Sequence, residues 1–422
     1  MDWRPRPVAA LAATGDGSLA AALREDGDVE LYDTSTFACI QVWHARGWSG
    51  NRQVWCFENW APRGAQPGAS PPRPLCLPAS LQRVPGSASA CATCLAIVEE
   101  EEDAQHRSLR PRLFTGGLDG TITELSLETL APAAAVDSHG GAVWALALQP
   151  GGPVAPGEPR RLAAACDDGS VRLFSVEHGG GSGTTTFARA LPRVEGRMLC
   201  LAWHPNGDAL ACAGSDGCIH VWSTSSGREL LRVDAAETDG PATPEPCVWD
   251  VLVLPDGTLV SADSSGAVAF WDGAHGTLLA RFRQHRADAL RLAASPDGNT
   301  VFSAGVDGQL AVYRRLRAGT PAGAAAVAAE QQRRQVQRQG QAGAVAAPLP
   351  ARPASPWAYL SAKRCHSHDV RALAVVSGRH APQPRLLSGG NDTQVLAHSV
   401  ARFLNVSCSR VGRAPVPRCT AS

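Results

Sequence analysis

Seven times along this 422-residue chain, a tight-turn pair stands in front of a short run of alternating apolar and polar residues. The pairs are Asp26-Gly27, Asp119-Gly120, Asp168-Gly169, Asp216-Gly217, Ser265-Gly266, Asp307-Gly308 and Asp392-Thr393. Behind them come runs such as Val171-Arg172-Leu173-Phe174, Ile219-His220-Val221-Trp222 and Val268-Ala269-Phe270-Trp271. Asp-Gly supplies the positive φ of a hairpin turn, and the alternation sends one side chain into a core and the next outward. From Gly120 to Gly308 the anchors fall 49, 48, 49 and 42 residues apart. That is close to the ~40–45 residues that one four-stranded repeat unit occupies.

Each anchor has two further apolar strands upstream. Arg161-Leu162-Ala163-Ala164-Ala165 precedes Asp168, and Val143-Trp144-Ala145-Leu146-Ala147-Leu148 precedes that. The turns Pro205-Asn206-Gly207, Pro255-Asp256-Gly257 and Pro296-Asp297-Gly298 join such strands. With 42 glycines and 31 prolines, the chain is rich in turn formers. Four strands per unit, repeated about seven times, predict an all-β chain folded as a seven-bladed WD40-type β-propeller. Blade one covers 1–47, a low-complexity insertion 48–89, and blades two to six 90–316. A basic low-complexity linker takes 317–362, a partial blade seven 363–402, and an unpatterned tail 403–422. The two low-complexity stretches read as disordered insertions.

The ring is expected not to close fully. The first inner strand begins near Val8, which leaves almost nothing before it to serve as the outermost strand of blade seven. Residues around 403–406 are the expected substitute. An open ring exposes strand edges, so the sequence reads as a truncated or mispredicted gene product.

Within this pattern, His139, His285 and His366 each fall four residues before an inner strand, where such repeats carry a structural histidine. In blade six, His285, Ser303 and Asp307 form the expected buried hydrogen-bond set, with Tyr313 in place of the usual tryptophan. A buried polar group without a partner costs roughly 1–3 kcal/mol, so such a set fixes strand order. Asp168, Asp216, Trp222, Trp271 and Asp392 complete the expected structural positions. All are read as architecture, with no catalytic, metal or cofactor-binding role.

Composition excludes several classes. With 39 basic and 39 acidic residues, the chain is not a uniformly basic nucleic-acid binder. It has no apolar run of transmembrane length and no signal-peptide core, so no membrane association is expected. Thirteen scattered cysteines suit reduced thiols better than a disulfide framework. The Cys91/Cys94 pair lacks redox or zinc context and reads as core. The cluster of Cys365, His366, His368 and Asp369 reads as a loop with one structural histidine, and the acidic run 99–103 as a solvated loop. Residues 317–365 carry seven basic side chains and one acid. There Arg333, Arg334 and Arg338 are candidate RNA contacts, through phosphates and counterion release. No phosphate-cradling loop or nucleophile elbow appears, so neither an enzyme nor a small-molecule substrate is expected.

A narrower resemblance lies in the succession of blades. Leu113-Phe114-Thr115-Gly116-Gly117-Leu118-Asp119-Gly120 leads to Gly140-Gly141-Ala142-Val143-Trp144, and later to Leu201-Ala202-Trp203-His204-Pro205. Cys247-Val248-Trp249-Asp250 and Ser261-Ala262-Asp263-Ser264-Ser265-Gly266 are its most specific part. This succession resembles the first propeller of the cirhin family, nucleolar WD-repeat components of the small-subunit processome. The resemblance implies a scaffold in the nucleus and nucleolus, with other WD-repeat proteins and the pre-rRNA 5′ external transcribed spacer as partners. It further implies support of 18S rRNA maturation and a link to RNA polymerase I transcription. Family members continue into a second propeller. The alternative is a generic WD-repeat adaptor, such as a ubiquitin-ligase substrate receptor or a chromatin-associated module.

Overall fold

The computed structural model describes residues 6–43, 92–101, 109–125, 132–150, 160–176, 185–236, 246–316, 356–400 and 408–411. These residues form seven four-stranded antiparallel sheets, each built from four strands consecutive in sequence. Blade three is representative, with strands Val143–Leu148, Arg160–Cys166, Val171–Val176 and Thr185–Ala190 running from the inside out. The first strand of each blade packs against the first strands of its two neighbours, and these seven strands ring a central axis. Blades one to seven start at Val8, Ala92, Val143, Met198, Val248, Ala289 and Val370. No helix among the described residues is long and apolar enough to cross a membrane.

Burial explains why small residues dominate the second strands. Ala209–Gly214, sequence ALACAG, is buried at every position because it faces a neighbouring blade on each side. Apolar clusters therefore run between blades. One joins Val260, Phe270 and Phe282 of blade five to Leu292, Tyr313 and Trp357 of blade six. Phe270 lies 4.5 Å from Trp357 and 5.8 Å from Tyr313, ring centre to ring centre. Non-directional burial of this kind supplies the main drive for blade stacking.

Blade six corrects the expected domain limits. Its outermost strand is Trp357–Arg364, paired along the whole of Gln309–Arg315. The basic linker therefore ends before Trp357, and Lys363 and Arg364 belong to blade six. Low-complexity flanks hid this strand, although Trp357-Ala358-Tyr359-Leu360 has strand composition. The acidic run is corrected as well. The inner strand of blade two spans Ala92–Glu101, and Glu99, Glu100 and Glu101 pair with Pro111, Arg110 and Leu109. Three of the five acids thus lie in a strand, because backbone pairing extends past the apolar core.

Blade seven is a full four-stranded sheet. Its outermost strand is Cys408–Val411, pairing antiparallel with Val395–Ser399. Within the stretch read as an unpatterned tail, Cys408–Val411 is a strand, and the expected substitute at 403–406 lies outside the described residues. Among the described residues, blades one and seven exchange no strand; they join by packing and by side-chain contacts. Val8 is fully buried beside Ala372, Val376, Leu387 and Val395. Gly389 makes room for it: a Cβ there would lie 2.6 Å from Val8 Cγ1. The insertion at 48–89 and most of the linker lie outside the described residues.

Candidate functional site

The tight turns define one face of the ring. In six blades the turn aspartate accepts the N–H two residues on, as in Asp119 to Thr121 and Asp168 to Ser170, both at 3.0 Å. Asp263 does the same for Ser265 at 2.8 Å in blade five. Such Asx geometry is how a short carboxylate holds a turn. The following residue has positive φ, from 71° at Gly217 to 88° at Gly27, and Thr393 takes that role in blade seven at 67°.

Two blades carry a buried histidine, serine and aspartate set among the described residues. His285 reaches Asp307 through Nδ1 at 3.1 Å and Ser303 through Nε2 at 2.7 Å. Ser303 lies 3.5 Å from the hydroxyl of Tyr313. In blade seven, His366 reaches Asp392 at 2.9 Å and Ser388 at 2.8 Å. There His398 adds a second imidazole on Ser388 at 2.9 Å. Burial first, then the nearby His366 and Lys363, push the His398 pKa down to about 4. Of the cluster at 365–369, only His366 enters this set; Asp369 accepts instead from Asn391 at 3.1 Å.

The other blades reach the same end with different residues. Asp168 holds Ser170 at 2.7 Å and Arg172 at 3.0 Å. Burial opposes its charge, but these hydrogen bonds and the guanidinium keep the carboxyl below the usual range. In blade five, Trp271 donates to Ser261 at 3.0 Å, while Asp263 takes Arg281 at 3.0 Å in place of a histidine. In blade four, His220 sits between Asp216 at 2.7 Å and Glu229 at 2.5 Å, beneath the buried ring of Trp222. Burial works against its proton, yet the two carboxylates raise its pKa.

His139 is corrected. Its side chain is 76% exposed, its φ is 56°, and its partner is Asp137 at 3.5 Å. The reason is local: blade three already spends Asp168 on Arg172, so no buried acceptor awaits an imidazole. Ser388 was missed, although it stands four residues before Asp392 as Ser303 stands before Asp307. Cys94 is buried, as core cysteine should be, whereas Cys91 lies outside the described residues. Arg333, Arg334 and Arg338 also lie outside them.

The same face carries the channel mouth. In every blade the inner strand slips register by one residue just after its first pair. The extra residues are Ala9, Thr93, Trp144, Leu199, Trp249, Leu290 and Arg371. Bulges re-aim a side chain, and here they do so beside the tight turns, because each strand start pairs with the end of the second strand. Trp144 donates to Asp167 at 3.0 Å, which also takes Arg197 at 3.0 Å; Trp249 donates to Asp288 at 2.9 Å. Arg291 bonds the carbonyls of Trp249 and Arg371, and Arg371 pairs with Glu25 across the seam. The mouth therefore carries two half-buried indoles, each held by a carboxylate, beside arginines bonded to carbonyls and to Glu25.

Seven blades with these turns and sets make the chain a WD-repeat β-propeller. Its sequence matches the family described as WD domain, G-beta repeat, over residues 131–175, 193–223 and 276–314. More narrowly, it is similar to U3 small nucleolar RNA-associated protein 4 of Schizosaccharomyces pombe, 36% identical over 296 residues, 69% of this chain and 34% of that protein. The Homo sapiens U3 small nucleolar RNA-associated protein 4 homolog is 30% identical over 286 residues, 68% of this chain and 35% of that one. The Saccharomyces cerevisiae protein of the same name is 28% identical over 302 residues, covering 70% and 33%. The chain spans about a third of the length of these curated relatives.

Proposed function

We propose that this chain is a non-catalytic scaffold of the small-subunit processome, acting in ribosome biogenesis within the nucleolus. The observation that carries the reading is its identity with proteins named for association with U3 small nucleolar RNA, spread over about 70% of the chain. The fold supports a scaffold. His285, His366, Asp307 and Asp392 spend their polar atoms on one another inside the blades. Such sets fix the platform, and the channel mouth with Trp144 and Trp249 is the surface we assign to partner propellers. The pre-rRNA 5′ external transcribed spacer is the proposed RNA partner. Arg333, Arg334 and Arg338 would meet its phosphates, where each arginine adds sequence-independent affinity by releasing counterions. Support of 18S rRNA maturation, and coupling to RNA polymerase I transcription, belong to the same proposal.

The test is affinity purification of the tagged chain, with RNA sequencing and mass spectrometry of what it retains. Enrichment of 5′ spacer RNA and nucleolar WD-repeat proteins is expected. A Trp144→Ala/Trp249→Ala variant should lose protein partners, and glutamine at the three arginines should lower RNA recovery alone. Recovery of ubiquitin-ligase subunits or chromatin factors, without pre-rRNA, would overturn the reading in favour of a generic adaptor.

A further inference from the structure

In blade four the turn-and-strand positions that hold other blades together carry a different chemistry. Asp216, Cys218 and His220 alternate along one side of the hairpin leading into Cys218–Ser223. Their carboxylate oxygen, thiol sulfur and imidazole nitrogen all lie within 4.8 Å of one another. The site is enclosed, with side chains of Asp216 and His220 only 10% and 2% exposed and Cys218 buried. Equivalent positions in blade three hold Asp168, Ser170 and Arg172, and in blade two Asp119, Thr121 and Thr123. Those blades keep the aspartate and close on it with a hydroxyl or a guanidinium. Blade four replaces both with a thiol and an imidazole, the two side chains that borderline-soft cations prefer.

The imidazole is already oriented. Glu229 Oε1 lies 2.5 Å from Nδ1 of His220, which turns Nε2 toward Asp216 and Cys218. A carboxylate on the far nitrogen is the usual companion of a metal-bound histidine. Arg232 reaches Cys218 Sγ at 3.6 Å from an exposed position, so a metal at this site would displace that one contact. We propose that Asp216, Cys218 and His220 form a Zn²⁺ site in blade four, with a water molecule as the fourth ligand. On binding, Sγ of Cys218 and Nε2 of His220 give up their protons to solvent, and each lone pair becomes a metal bond. Sulfur, nitrogen and oxygen then surround the ion, within the ligand range of tetrahedral zinc. The ion would pin the tight turn of blade four to the start of its third strand. The proposal stands apart from the processome reading, since it concerns the chain alone.

The experiment uses the full chain, stripped of metal and titrated with Co²⁺ as an optical probe, then with Zn²⁺ as competitor. One equivalent of Co²⁺ should bind, with sulfur-to-cobalt charge-transfer absorption that Zn²⁺ abolishes. Cys218→Ser and His220→Arg install the blade-three residues, so both variants should fold, as thermal melts of the metal-free forms will show. Both should lose the absorption, whereas Cys247→Ser should keep it. Glu229→Gln should weaken binding by about 10–100-fold. No charge-transfer absorption in the wild type, or one that survives in Cys218→Ser and His220→Arg, overturns the proposal. In either case His220 serves only as an ion pair between Asp216 and Glu229.

Discussion

Arg24 in blade one donates from Nη1 to the backbone oxygen of Thr393 in blade seven at 2.9 Å, joining residues 369 apart in sequence. The same nitrogen reaches the carbonyl of Arg6 at 2.9 Å, and Nη2 reaches Glu30 at 2.7 Å. Tyr32 donates to that Glu30 oxygen at 2.6 Å. Arg24 thus ties the first blade to the last at the joint where the ring shuts.

Arg24→Met should therefore cost about 3 kcal/mol, because it strands a largely buried Glu30 without its cation. Chemical denaturation of the variant measures this. Adding Glu30→Gln should recover part of the loss. A cost below about 0.5 kcal/mol would show that the seam is held by apolar packing alone.

Thr393→Gly should stabilise the protein by about 1 kcal/mol, since a left-handed conformation costs a side-chain-bearing residue roughly that much. Thr393 has φ 67°, and the backbone oxygen that accepts from Arg24 is kept. Gly169→Ala should do the opposite, because its Cβ would lie 2.3 Å from the carbonyl oxygen of Val194. Melting temperatures moving the same way in both variants would contradict this account.

Ser388→Ala should be more damaging than Ser303→Ala. Ser388 Oγ sits between two imidazoles, His366 at 2.8 Å and His398 at 2.9 Å, and can donate to one while accepting from the other. Ser303 serves His285 closely, with the Tyr313 hydroxyl farther off. Each buried polar group left unpaired costs about 1–3 kcal/mol, so urea midpoints should rank wild type, Ser303→Ala, then Ser388→Ala.

Acid should weaken blade seven through His398. Its folded pKa of about 4 lies below the ordinary histidine value of 6.5, so the unfolded chain takes up the proton first. Stability is then full above pH 6.5 and falls as pH drops toward 4, by about 2 kcal/mol between neutrality and pH 5. His398→Gln should flatten that part of the stability profile. An unchanged slope in this variant would assign the acid sensitivity elsewhere.

Much of this fold is legible in the chain. The inner strands Val143–Leu148 and Met198–Trp203 begin and end where alternation and flanking turns place them. Gly207, Gly257 and Gly298 of the three Pro-Asx-Gly turns all have positive φ. Local chemistry suffices there, because φ preference and period-two burial act within a few residues. Trp357–Arg364 was obscured because its pairing partner lies across a long interval without pattern.

The polar sets divide the same way. A histidine four residues before an inner strand is visible in three blades, but only the partner decides its fate. His285 and His366 pair with the turn aspartates Asp307 and Asp392, whereas in blade three Arg172 holds Asp168 and His139 stays exposed beside Asp137.

The sequence alone thus determined the seven repeats, their tight turns and most of their inner strands, since those depend on residues close together in the chain. Tertiary structure decided how the ring closes, which histidines are buried, and what gathers at Asp216, Cys218 and His220. Those outcomes depend on neighbours brought together only when blades pack, where each buried polar atom must find a partner from another strand or another blade.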